Sequence, residues 1–339
     1  MGKEKKGVLL VNLGTPDSPA TKDVRKYLRE FLMDGRVIDI PLIPRFLLVN
    51  GIIAPFRAPK SAKEYAKLWE DRGSPLKFNG FDVRDLLQES LGDNYQVALG
   101  MRYQSPSIEG ALEELRSHNV TQIIVIPLFP QYASASTGSV SEKVNRLVNK
   151  WQIIPSITHI NQFMDHPKFL EAFADNGKAL MEKETYDHVI FSYHGLPERH
   201  IKKGSVGNQC QLGSCCNKLH EKNRYCYRAQ CFYTSRQLAE RMGLKEGDYT
   251  TTFQSRLGKD PWVKPYTDIF LKELPPKGIK KVLAFSPAFV SDCLETTLEV
   301  GEEFKEEFEE AGGETWTLVP SLNTSAKWIE CLEDLVKTA

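Results

Sequence analysis

A chain of 339 residues with 41% hydrophobic and 26% charged side chains holds enough apolar material for one large or two ordinary cores, which excludes a disordered or fibrous protein. Forty-four basic residues balance forty-four acidic ones, so no global field recruits nucleic acid or an anionic membrane, and any such contact must be local. No uninterrupted apolar run reaches the length of a spanning helix. The opening MGKEKKGVLLVNLG also lacks the apolar core and cleavage site of a secretory signal, so a cytoplasmic location is expected.

Short apolar runs alternate with amphipathic stretches, the pattern of an α/β protein with parallel sheets. In chain order, strands are predicted at 7–14 (GVLLVNLG), 96–103, 121–129, 158–163, 187–195 (DHVIFSYHG), 250–255 and 280–289, with a clear helix at 107–119. Residues 37–56, VIDIPLIPRFLLVNGIIAPF, form the most apolar segment, broken by Asp39, Arg45, Asn50 and three prolines. They suit either a proline-punctuated element packed on the core or an apolar lip resting at a membrane interface.

The two halves of the chain resemble each other. VLLVNLGTP (8–16) parallels VIFSYHGLP (189–197), MRYQS parallels TFQSR, and IIVIPLFPQYASAS parallels VLAFSPAFVSDCLE. Two similar Rossmann-like lobes with parallel sheets are therefore predicted, 1–150 and 151–339, with the boundary between residues 150 and 185.

Loops at the C-terminal ends of parallel strands are where such sheets place ligands. His194 stands at one such end, in SYHGLP, and reads either as a surface residue or as a base near neutrality. After the run at 280–289, Asp292, Glu295 and Glu299 recur at spacings of three and four. On a helix they would point one way, as a ladder for protons or a labile cation or as a solvated face continued by Glu302, Glu303, Glu306 and Glu307. QYASASTG and MRYQSP place small, hydroxyl and aromatic side chains after strands, which suits a flat aromatic ligand or a phosphate. No phosphate-binding glycine motif is present in the right context.

Five of seven cysteines, Cys210, Cys215, Cys216, Cys226 and Cys231, crowd into 205–231, leaving Cys293 and Cys331 isolated. In a cytoplasmic protein this reads as thiolate ligation by four of the five, of an iron-sulfur centre or of zinc, with free thiols as the remaining reading. The spacing lacks the C-x2-C knuckles usual for zinc.

Taken together, VNLGTP, FRAPKSAKEY, RGSPL, GMRYQSPS, PQYASASTGS, SYHGLPERH, TFQSRLGKDPW and SPAFVSDCLETTLE resemble ferrochelatase in order and spacing, from residue 7 to about 335. The resemblance implies a two-lobed chelatase fold, a porphyrin cleft between the lobes, and insertion of Fe2+ to form haem. Carried over by position, His194 and Glu295 are the catalytic pair, facing each other across the macrocycle from different lobes, with Asp292 and Glu299 as further candidates to handle iron or protons. Leu13, Arg57, Tyr65, Arg102, Tyr103, Tyr132, Ser136, Gln254, Ser255 and Trp262 fall in segments that line or support the pocket.

Two departures stand out. Cys293 occupies a position where many relatives carry histidine, and the G-D-P-Y run expected after His200 is replaced by the cysteine-bearing stretch, which resembles the insertion that holds a 2Fe-2S cluster in some bacterial ferrochelatases. Protoporphyrin IX is the expected substrate and the apolar lip the expected peripheral membrane contact. A coproporphyrin or cobalt chelatase, a non-catalytic haem or metal carrier and a cysteine-based redox sensor are the alternatives.

Overall fold

GVLLVNLG and HVIFSYH are near-continuous apolar runs, the pattern of strands covered by helices on both faces, and each lies inside a parallel sheet. The computed structural model describes residues 4–258 and 260–339. In the first sheet β1 (Lys6–Gly14) lies between β2 (Tyr95–Tyr103) and β3 (Gln122–Pro127), with β4 (Ser156–His159) outside β3. In the second, β5 (His188–His194) lies between β6 (Tyr249–Gln254) and β7 (Lys281–Phe285), with β8 (Thr315–Leu318) outside β7. All six pairings are parallel, and the two strand orders are the same. The α/β reading with a duplicated parallel sheet thus holds.

Two compact units carry these sheets. The first comprises Met1–Phe129, Ser134–Asn161 and Ile329–Ala339; the second comprises Pro130–Ala133 and Gln162–Trp328. Helices α1 (Thr21–Leu32), α2 (Leu42–Leu47), α3 (Ala54–Leu68), α4 (Pro75–Leu91), α5 (Ile108–Ser117) and α6 (Ser139–Val148) belong to the first. In the second lie α7 (Pro167–Met181), α8 (Glu198–Lys203), α9 (Tyr227–Met242), α10 (Thr267–Phe270) and α11 (Phe304–Glu310). The last helix, α12 (Ala326–Lys337), carries the chain back into the first unit.

The core of each unit follows from the strand pattern. Leu9 and Val11 of β1 join Ile123 and Val125 of β3 against Leu112 and Leu115 of α5 and Val140 and Val144 of α6. In the second unit Ile190, Val282 and Ala284 meet Val300, Phe304, Phe308 and Trp316.

The internal repeat extends to backbone detail. Gly14 and Gly195 each end the first strand of a sheet beside a carbonyl of the neighbouring strand: an added Cβ would stand 2.0 Å from Tyr103 O in one case and 2.8 Å from Gln254 O in the other. Gly14 also has φ +113°, which side chains rarely adopt. The residues that follow β2 and β6, Gln104 and Ser255, are both left-handed, at φ 67° and 64°. π-helical turns follow both third strands, at Ser134–Gly138 and Glu295–Glu303.

Two predicted strands overrun and one strand was missed. The strand placed at 280–289 ends at Phe285, and the one placed at 158–163 runs from Ser156 to His159. Ile160 N–H still donates to Val125 O (2.9 Å), but the next donor facing β4 would come from residue 127, a proline, and the ladder stops. The edge strand β8 was not anticipated, because it has four residues and buries only Trp316, too little to show a period.

Residues 37–56 fold as an exit turn, helix α2, a π-helical segment Leu48–Ile53 and the start of α3. Leu42, Ile43, Phe46, Leu47, Ile52 and Phe56 are all more than half exposed. Among the described residues no helix is long and apolar enough to cross a membrane.

Candidate active site

The end of β5 is built to present His194. Its side chain is half-buried and the following Gly195 donates its N–H to Gln254 O (2.8 Å), holding the ends of β5 and β6 together. Phe289 meets the imidazole edge-on, with ring centroids 6.3 Å apart. Burial lowers the His194 pKa from its ordinary value, against the pull of nearby Glu295. The ring is therefore neutral around pH 7 and able to accept a proton.

Glu295 opens the nine-residue π-helical segment that follows β7. It was expected to come from a different lobe from His194, but both belong to the second unit, because β5 and β7 are adjacent strands of one sheet whose C-terminal ends open on the same side. Tertiary pairing brings together residues a hundred positions apart. One turn further, the Glu299 carboxylate accepts from Ser255 Oγ and, at 3.5 Å, from Gln254 Nε2. Burial pushes its pKa up to about 7; the Ser255 hydrogen bond opposes this and the charges of Glu295 and Glu303 add to it.

Gln254 is the hub of this cluster. Its side-chain oxygen accepts from Ser192 Oγ (2.5 Å), and Ser192 continues to Thr267 (2.9 Å) and Thr252 beyond it (2.8 Å). Ser192 and Thr267 carry no sequence signal, since isolated hydroxyls in strands and short helices are commonplace. Asp292 precedes the π-helical segment instead of sharing its face, and its carboxylate accepts from Asn323 Nδ2 (2.8 Å).

A neutral imidazole, Glu295 near it and a second carboxyl with a pKa of about 7 are groups of the kind that accept protons near neutrality. A family profile described as Ferrochelatase matches residues 5–339. The chain is 48% identical to a ferrochelatase of Legionella pneumophila (strain Paris), covering 98% of both chains, and 44% identical to one of Coxiella burnetii (strain Dugway 5J108-111), covering 98% of this chain and 93% of that one.

The chain belongs to the ferrochelatase family.

Membership makes it an enzyme, a porphyrin metal chelatase of haem biosynthesis. Among solved structures, SirB from Bacillus subtilis with Fe3+ has a TM-score of 0.54 at 11% identity, covering 98% of this chain and 94% of that one, a likeness of fold.

The other residues carried over from the ferrochelatase motifs divide between the units. In the first, Leu13 and Tyr65 each pack against the cluster formed by α1 and α3, Tyr65 meets Tyr27 edge-on at 6.2 Å, and Arg57 is exposed on α3. Ser136 is half-buried in the π-helical turn after β3. Arg102 and Tyr103 are not free-standing pocket groups: Arg102 pairs with Asp34 Oδ2 at 2.5 Å, and Tyr103, fully buried, donates to the same oxygen at 2.9 Å. Ser139 Oγ donates to it too, at 2.5 Å. Burial alone would raise the Asp34 pKa, but these partners and the Arg36 N–H outweigh it and hold the carboxyl low. Asp34 was missed because a single aspartate after a helix is also an ordinary capping residue.

In the second unit Trp262 is buried, donating Nε1–H to Leu257 O (2.9 Å), while Tyr132 donates its backbone N–H to Gln230 Oε1 (2.6 Å) and stacks edge-on with Tyr225.

The cysteine-rich stretch runs through three short 3-10 turns into the N-terminus of α9. Cys215 and Cys216 sulfurs are 3.9 Å apart, Cys210 is in contact with Cys215, and the Cys216 thiol donates to Cys226. Backbone N–H groups of Leu212, Gln211 and Ala229 point at Cys210, Cys215 and Cys226, and Arg228 stands beside Cys216. Such donors favour thiolates, and the Cys216 hydrogen bond holds Cys226 below the ordinary thiol range, but burial pushes Cys210 up and the bond to Cys226 pushes Cys216 up. The thiols stand as neighbouring pairs, and among the described residues no three ligating side chains are close enough together to hold a metal ion. Cys231 is apart from these pairs, fully buried on α9.

Proposed function

We propose that this ferrochelatase inserts Fe2+ into protoporphyrin IX, with His194 as the proton acceptor and Glu295 and Glu299 as the groups that pass protons onward. Metallation removes two pyrrole N–H protons and needs the ring nitrogens exposed, so it calls for a base that is neutral at working pH and a second group of near-neutral pKa to take the proton away. The observation that carries the reading is a strand-end His194, kept below its ordinary pKa with Glu295 nearby, and Glu299 at about 7 one turn further along the same π-helical segment. Asp292, held by Asn323, serves the entry of that turn. Arg57, Tyr65, Arg102, Tyr103, Leu13, Tyr132, Ser136, Gln254, Ser255 and Trp262 bind or support the porphyrin.

The test is metallation by the purified protein with Fe2+ or Zn2+, offered protoporphyrin and coproporphyrin in competition. His194→Ala is expected to abolish turnover while porphyrin binding persists; near-normal turnover defeats the assignment, and a preference for coproporphyrin replaces the substrate. The exposed apolar face at Leu42, Ile43, Phe46 and Leu47 supports protoporphyrin, the more apolar of the two, and peripheral membrane contact of a cytoplasmic enzyme.

For the cysteine-rich stretch the proposal is a 2Fe-2S cluster held by four of Cys210, Cys215, Cys216, Cys226 and Cys231. The donors aimed at those sulfurs support it, and the pairs must draw together to close the site. Anaerobic purification with absorption and EPR spectra decides: a colourless, stoichiometrically zinc-loaded protein excludes the cluster.

A further inference from the structure

The backbone of His194 is held from behind by α9. Tyr227, in the first turn of that helix, donates its hydroxyl to His194 O at 2.7 Å. Its ring is buried. Four residues on, Cys231 is fully buried on the same helix. Another turn on, Ser235 Oγ bonds both the Cys231 carbonyl (3.1 Å) and the hydroxyl of Tyr193 (3.0 Å), the residue before His194. Residues 227, 231 and 235 thus share one buried face of α9, and that face grips the last two residues of β5.

We propose that Tyr227 is a positioning residue for His194, holding the end of β5 so that it presents the imidazole in one orientation. Nothing in the hydrogen-bond pattern gives Tyr227 contact with substrate; its effect passes through the His194 backbone. A small displacement of a catalytic group costs turnover much more than binding.

This inference rests on the assignment of His194 as the proton acceptor. The experiment uses the full chain, with steady-state porphyrin metallation measured for Tyr227→Phe at a temperature where circular dichroism shows the variant folded. Tyr227→Phe keeps the ring and removes the bond to His194 O. Its kcat is expected to fall on the order of tenfold with the porphyrin KM changed less than about twofold. A Tyr227→Phe kcat within twofold of the parent, or a loss shared equally by kcat and KM, overturns the proposal. His194→Ala measured alongside separates the two levels: if it abolishes turnover and Tyr227→Phe does not matter, only this inference fails, whereas retained turnover in His194→Ala defeats the reading beneath it.

Discussion

Glu299 shows how one side chain couples stability to pH. In the unfolded chain a glutamate ionises near ~4.3, but in the folded protein burial delays this to about 7. Between those values the unfolded state has lost a proton that the folded state retains, so stability falls as pH rises; the cost is absent below the lower value and complete above the upper one. Glu299→Gln has no proton to lose and keeps an acceptor for Ser255. It is expected to gain about 1–3 kcal/mol relative to the parent on going from pH 5 to pH 8, read as the difference in urea midpoints, while metallation falls. An advantage that does not change with pH would mean that the carboxyl is ionised throughout. The candidacy of His194 and Glu295 was legible from strand-end position and motif order. The raised Glu299 pKa was not, because it depends on burial and on Ser255, a residue 44 positions away.

At the scale of elements, the repeat makes two predictions that differ in size. Gly14 and Gly195 occupy equivalent strand ends, yet a Cβ at Gly14 would meet a carbonyl oxygen at 2.0 Å with φ +113°, and one at Gly195 would meet its carbonyl at 2.8 Å. Gly14→Ala is expected to cost more than ~3 kcal/mol or to prevent folding, and Gly195→Ala about 1–3 kcal/mol with a marked loss of kcat. Chemical denaturation ranks them, and equal costs would refute the comparison. Asp34 is the other test of element docking, since its one carboxylate joins the segment after α1 to β2 through Arg102 and Tyr103 and to α6 through Ser139. Asp34→Ala strands a nearly buried guanidinium, an expected loss of about 3–5 kcal/mol. Because the Asp34 pKa is held low, its contribution is present above the unfolded value near ~3.9 and is lost as pH falls through the lower folded value. An Asp34→Ala variant as stable as the parent at pH 7 would show the pairing to be incidental. Neither residue announces itself in the sequence: a glycine in Gly-x-Pro reads as a turn, and the three side-chain partners of Asp34 lie 68 or more positions away.

For the molecule as a whole, the apolar face of 42–56 is a surface matter. Leu42, Ile43, Phe46 and Leu47 are 55–73% exposed and contribute little to the core. Replacing all four by serine should leave thermal stability close to the parent while abolishing flotation with vesicles of phosphatidylglycerol and phosphatidylethanolamine; unchanged flotation would remove the membrane reading. The sequence by itself determined the α/β class, the duplicated sheet and the family, and named His194 and Glu295 as candidates, because apolar strand runs and ordered motifs are local and survive without knowledge of packing. Only the tertiary structure decided that His194 and Glu295 share one unit, that Arg102 and Tyr103 lean on Asp34, and that Tyr227 of α9 holds the backbone behind His194. Those facts are set by which strands and helices become neighbours, and hydrogen bonds between residues tens to a hundred positions apart leave no period or spacing in the chain.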